Sequence, residues 1–183
     1  MSSHSRNSRK SLRTLQLAVA ATALAGSAVY ADDSSNFELT AFSNGTAGTA
    51  ILSGDYNTAL GQLQQRHVLK NETTSTNRCV AYVVTRQLES ARVACDEAVR
   101  DAQQEIASMP VSMSWARSDY RDYLALAYSN RAVLNYLAND KTAAQSDLKK
   151  AAAVAPKAAF VARNQTALQS RGAVAQVSVV PKS

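Results

Sequence analysis

A recurring spacing of small side chains does most to limit what this chain can fold into. Cys79 and Ala132 are each followed after twelve residues by an alanine, Ala91 and Ala144, and after seven more by another, Ala98 and Ala151. A shorter stretch, Gly54-Asp55-Tyr56 followed by Ala59 and Leu63, keeps the turn and the helix after it. Small residues at such intervals let the two helices of an antiparallel hairpin approach closely, and larger residues fill the groove between them. With aromatics at only 6%, thin packing between close helices is the natural use of the chain.

Hydrophobic periodicity divides the sequence accordingly. Residues 32–45 are polar and lack a period, which predicts a flexible N-terminal arm. Ala47, Ala50 and Ile51 open a helical pattern, the breaker pair Gly54-Asp55 interrupts it, and Tyr56, Ala59, Leu60 and Leu63 resume it. The polar run KNETTST at 70–76 predicts a loop. An apolar helix follows over 77–85, a turn at Arg86-Gln87, and a long helix over 88–108 that Met109-Pro110 ends, because proline removes a donor and disfavours helix before it. Ser114 is placed to cap a helix running to 138, and Asp140 one over 141–154 that Pro156 closes. A last helix covers 157–171 with Gly172 as its C-cap, and the alternating tail AVAQVSVV predicts a short strand or strap. The expected fold is all-α, with a helical domain over 46–172 and a tail over 173–183.

Residues 77–103, and above all 130–156 (NRAVLNYLANDKTAAQSDLKKAAAVAP), resemble the tetratricopeptide repeat. That pattern has a small residue, a tyrosine three later, a turn glycine, alanines on the second helix and a closing proline. Here Arg86 stands at the turn glycine, Gln103 at the proline of the same unit, and Asn135 at the tyrosine of the next. Ala59 and Ala91 are 32 residues apart, and Ala91 and Ala144 are 53 apart, against a family period of about 34. The resemblance implies helical hairpins stacked as a short α-solenoid, with an alanine-rich hairpin bundle as the plainer alternative. It also implies a concave groove for a partner peptide, faced by Thr76, Asn77, Val80, Val83 and Val84 in one unit and by Ser129, Asn130, Val133, Tyr136 and Leu137 in the next. The lysines of a carboxylate clamp are absent from it, so a mildly apolar groove for an extended or helical peptide is the expectation.

The formal charge of +6 belongs mostly to one end. Arg6, Arg9, Lys10 and Arg13 precede an uncharged Leu/Ala/Val-rich run to Ala28, and Val29 and Ala31 suit a cut before Asp32. This reads as a secretory signal peptide over 1–31; a mitochondrial presequence is the rival. Without the leader the balance is 16 basic residues against 14 acidic, which points away from nucleic acid. The expected product is exported to the periplasm or beyond, with no integral membrane segment. From Lys149 onward there are six basic residues and no acidic one, which complements helix C-termini or meets an acidic partner.

In an oxidising compartment Cys79 and Cys95, the only cysteines, are read first as a disulfide. With a turn at Arg86-Gln87 they lie level across the hairpin at about 1.5 Å rise per residue; two buried free thiols are the alternative. After leader removal His67 stands alone, without a second ligand at metal spacing. There is no GxSxG elbow and no phosphate loop. Glu97, Asp101 and Glu105, with Asp96, Arg92 and Arg100, read as a solvated helix face. Asn44, Asn71 and Asn164 head Asn-x-Ser/Thr sequons. No catalytic residue, metal or cofactor is expected. The sequence points to a protein-binding module, with a self-associating envelope protein as the second reading.

Overall fold

A computed structural model describes residues 36–65, 71–113, 117–170 and 177–182. The chain divides into two units, 1–31 and 32–183, and every described residue belongs to the second. The expected signal peptide, Ser114, Gly172 and His67 lie outside the described residues.

The described residues form seven α-helices and one two-stranded sheet: β1 (Phe37–Phe42), α1 (Gly48–Leu52), α2 (Tyr56–Leu63), α3 (Glu72–Val84), α4 (Leu88–Ser108), α5 (Arg117–Leu137), α6 (Lys141–Val154), α7 (Ala159–Gln169) and β2 (Val177–Lys182). A 3-10 turn at Val111–Met113 follows Pro110. Helix dominates, as the alanine spacing requires. Polar caps set several starts: the side chains of Asp55, Asn71 and Asp140 accept from the backbone N–H groups of Thr58, Thr74 and Ala143. Arg86 and Asn139 end α3 and α5 with φ of 59° and 64°, the left-handed conformation that a turn glycine would take at less cost.

Helices α3 and α4 pack along each other, as do α5 and α6, and α4 packs on α5. Ala91, Ala94, Ala98 and Ala102 on α4, and Ala144 and Ala151 on α6, are all buried at these contacts. Cys79 and Cys95 are bridged, with their Cα atoms 4.7 Å apart. Bridged, neither carries a free thiol, so neither should react with an alkylating agent before reduction; both are also fully buried. Cys79→Ser together with Cys95→Ser should cost about 3 kcal/mol, read from the urea midpoint, because the bridge closes a short loop in the unfolded chain. Two alkylatable thiols in native protein would remove the bridge from this account.

Three expectations change. The run KNETTST is not a loop from Asn71 onward: Asn71 caps α3, and Thr74, Ser75 and Thr76 are buried on its first turns. Short polar side chains there face protein groups, which polarity alone does not reveal. The last helix is shorter than expected, Ala159–Gln169. The arm expected to be flexible instead carries β1, all six of whose residues are buried. β1 pairs in parallel with β2, which lies in the tail expected as a short strand or strap, in the register Phe37 to Val177 through Phe42 to Lys182. No described helix is long and apolar enough to cross a membrane.

Candidate interaction site

The helices place three asparagines beneath β1, one each on α3, α5 and α7. Asn164 Oδ1 accepts from Glu38 N–H at 2.7 Å, and its Nδ2 donates to Glu38 C=O at 2.8 Å. Asn130 does the same for Thr40, at 3.0 and 2.9 Å. Asn77 does it for Phe42, at 2.7 and 2.9 Å. Each carboxamide thus donates to and accepts from one strand residue, as a neighbouring strand's backbone would. The engaged residues are alternate ones because successive backbone groups of a strand point to opposite edges. The second Nδ2 proton is used as well, by Thr46 C=O for Asn77 and by Ser129 Oγ for Asn164. All three asparagines are at most 1% exposed, so every carboxamide must be satisfied internally.

Side chains complete the seat. Phe37, Leu39 and Ala41 join one apolar cluster with Val80, Val83 and Val133, and Val84, Tyr136 and Leu137 pack against it half-buried. The Phe37 ring lies 4.6 Å from that of Tyr136, and Phe42 meets Tyr123 edge-on at 4.9 Å. Glu38, though buried, is held by a two-pronged contact with the Arg163 guanidinium of α7, and that carboxylate raises the Arg163 pKa above its ordinary value. The residues expected to face a groove are therefore brought together: Thr76, Asn77, Val80, Val83, Ser129, Asn130 and Val133 are buried on one surface. Its occupant is the chain's own residues 37–42, so this face is not open to a partner as the sequence reading expected.

Magnitudes say whether β1 can leave. Six asparagine hydrogen bonds at about 1 kcal/mol each, with the burial of Phe37, Leu39 and Phe42, sum to on the order of 10 kcal/mol. That is comparable with the whole stability of a domain this size. β1 is therefore part of the fold, and its edge away from the asparagines is the one paired with β2. Along that edge the backbone groups of Phe37, Leu39 and Ala41 point away from the asparagines toward β2. Ser43 continues the edge by donating to Lys182 C=O at 3.2 Å. β2 is only half-buried, with Ser178 and Pro181 exposed, and it rests mainly on β1 and α1.

The sequence reading missed Asn164, Glu38 and Arg163. A signal for Asn164 is present: it follows Asn130 by 34 residues, the length of one tetratricopeptide period. Buried at 0% exposure, it is a strand-holding residue with no room for a glycan.

The carboxylates of α4 are not simply a solvated face. Asp96 pairs with Arg131 of α5 at 2.8 Å, Glu97 with Arg78 and Arg100, and Asp101 accepts from Ser75. The Glu72 pKa is raised, first by burial and then by repulsion from Glu105 and Asp101. Among the described residues no group of histidine, cysteine and carboxylate side chains is arranged to hold a metal ion. A cleft of about 250 Å³ is lined by Arg92 together with Asp96, Arg131, Asn135, Asp147 and Lys150, and the last five are paired among themselves. Compared with protein-family models, curated proteins and solved structures, the chain matches none.

Proposed function

We propose that the protein is a non-enzymatic interaction module of the bacterial cell envelope, an exported TPR-like α-solenoid that binds an extended segment of a partner protein. The observation that carries this reading is the asparagine ladder. Three buried carboxamides hold one edge of β1 rigidly, and the other edge, paired with β2, takes a partner strand in β2's place, a mode in which backbone hydrogen bonds supply affinity and side-chain pockets supply selectivity. The partner then docks along the backbone of Phe37, Leu39, Ala41 and Ser43, where β2 now lies, and not among the buried asparagines and valines of the groove. The Cys79–Cys95 bridge and the basic, apolar, small-residue order of residues 1–31 support export.

Locking β2 in place tests it. Thr40 and Val180 are register partners, so Thr40→Cys with Val180→Cys should form an internal bridge that fixes β2 on its seat. Mature chain bearing either single substitution should capture an envelope protein that the bridged variant releases. Equal capture by bridged and single variants would move the binding site off this edge.

A further inference from the structure

We infer that the cleft between the start of α5, the α6–α7 connection and the end of β2 binds a small amphiphilic dianion, with a phosphate or paired carboxylates at one end and an apolar body at the other. The site shares no residue with the asparagine ladder and does not depend on a strand docking at β1.

Three elements each bring one cation to this cleft of about 430 Å³: Arg121 from α5, Lys157 from the α6–α7 connection and Lys182 from β2. Among the described residues none of these three side chains enters an ion pair or lies over an aromatic ring. Asp122 alone of the described residues brings a carboxylate to the lining, so three positive charges face one negative. Like charges that share a cleft repel one another, and an anion relieves the repulsion; a balance of +2 is met by a dianion. The cleft beside Asp147 is the contrast. There Arg131 and Lys150 are both held by that buried carboxylate, and an incoming anion has to compete with it.

Lys157 and Lys182 belong to the acid-free stretch from Lys149 onward. Complementing a helix C-terminus accounts for Lys157, just past α6. It does not account for Lys182, on a strand, or for Arg121, near the N-terminal end of α5, where a cation gains nothing from the helix dipole. An anion in the cleft gives all three one use. The Arg121 guanidinium offers two parallel N–H groups to a phosphate or a carboxylate, while the two ammonium groups add charge without a fixed direction.

The rest of the wall is mostly apolar, with Val154, Pro156 and Phe160. Val154 and Phe160 are half-buried against the core cluster that holds Ala151 and Val161, so this side of the cleft is built on the core. An inorganic ion uses only the charges. A ligand with an apolar body uses the wall as well, and the volume lies in the range of about 300–1,000 Å³ common to small-molecule sites.

Calorimetric titration of the full-length chain tests this, with phenyl phosphate and phthalate as the two probes, at slightly alkaline pH where both are dianions. At least one should bind saturably, and more tightly than either inorganic phosphate, which lacks the body, or benzoate, which lacks the second charge. The tighter probe assigns the head group as phosphate or as paired carboxylates. Arg121→Gln and Lys157→Gln should each weaken that probe about tenfold. Asp122→Asn should tighten it, a gain that damage to the fold cannot produce. Arg92→Gln, which removes an exposed cation from α4, should leave it unchanged. No saturable binding of either probe up to millimolar concentration overturns the proposal. Binding that survives Arg121→Gln and Lys157→Gln undiminished also overturns it, because the anion then sits elsewhere. So does inorganic phosphate or benzoate matching the better probe, because the wall or the second charge is then idle.

Discussion

Asn130→Leu should lower the unfolding free energy by about 2–6 kcal/mol, measured by urea denaturation. Leucine keeps the branched four-heavy-atom outline of asparagine and is bulkier, so the loss is not a cavity effect. It comes from Thr40, whose N–H and C=O lose their carboxamide partners at 3.0 and 2.9 Å. Thr40 is 4% exposed, so water cannot replace them, and each stranded backbone group costs about 1–3 kcal/mol. Asn130→Asp separates the two halves of the contact. The introduced carboxylate still accepts from Thr40 N–H but sets an oxygen against Thr40 C=O. Burial and that repulsion raise its pKa above the unfolded value of about 3.9. The penalty of Asn130→Asp, taken against unmodified protein at each pH, should therefore shrink as pH falls through the raised pKa, when the protonated group can donate again. Asn130→Leu should show no such relief. A cost below about 1 kcal/mol for Asn130→Leu would mean that the ladder does not hold the strand.

That ladder marks the boundary of what the sequence discloses. Local rules find α4 at Leu88–Ser108 and α6 at Lys141–Val154 to the residue, because a proline, a cap and a regular alanine spacing all act over a few neighbours. The Cys79–Cys95 bridge follows from one hairpin turn. That Asn77 and Asn130 share a face is equally legible, since each stands two residues before the small residue that opens the alanine spacing, Cys79 and Ala132. The occupant of that face is not. Residues 37–42 (FELTAF) alternate apolar and polar positions as far as Ala41, but the run is short and set in a polar stretch, and its polar positions suggest a solvated face, whereas both faces of the strand are buried and Glu38 finds Arg163 some 125 residues away. The parallel partner, β2, lies at the other end of the chain. Polar groups whose partners are this distant look like a loop until the tertiary fold supplies them. The same cause hides the first turns of α3, where Thr74, Ser75 and Thr76 are buried.

Asp147→Ala should cost about 3–5 kcal/mol, for a reason of charge rather than strand pairing. Asp147 is 3% exposed and accepts from Arg131 Nε and Nη2 at 2.8 Å each, and from Asn135 Nδ2 at 3.0 Å. The two-pronged contact holds the Arg131 guanidinium protonated well above the ordinary arginine range, its hydrogen bonds with Asp147 outweighing burial. Removing the carboxylate leaves Arg131 in the contact between α4, α5 and α6 with only the half-exposed Asp96 as counter-charge. Lysine at 131 would not substitute, since a point charge cannot span both carboxylate oxygens. The decisive comparison is Asp147→Leu combined with Arg131→Met. An apolar pair of similar volume removes both desolvated charges, so the double variant should be more stable than Asp147→Ala even though it discards more native contacts. If the double variant is the weaker of the two, shape or the Asp96 and Asn135 contacts outweigh the unpaired charge at this junction. A measured cost for Asp147→Ala under about 1 kcal/mol would instead place Arg131 in solvent once its partner is gone.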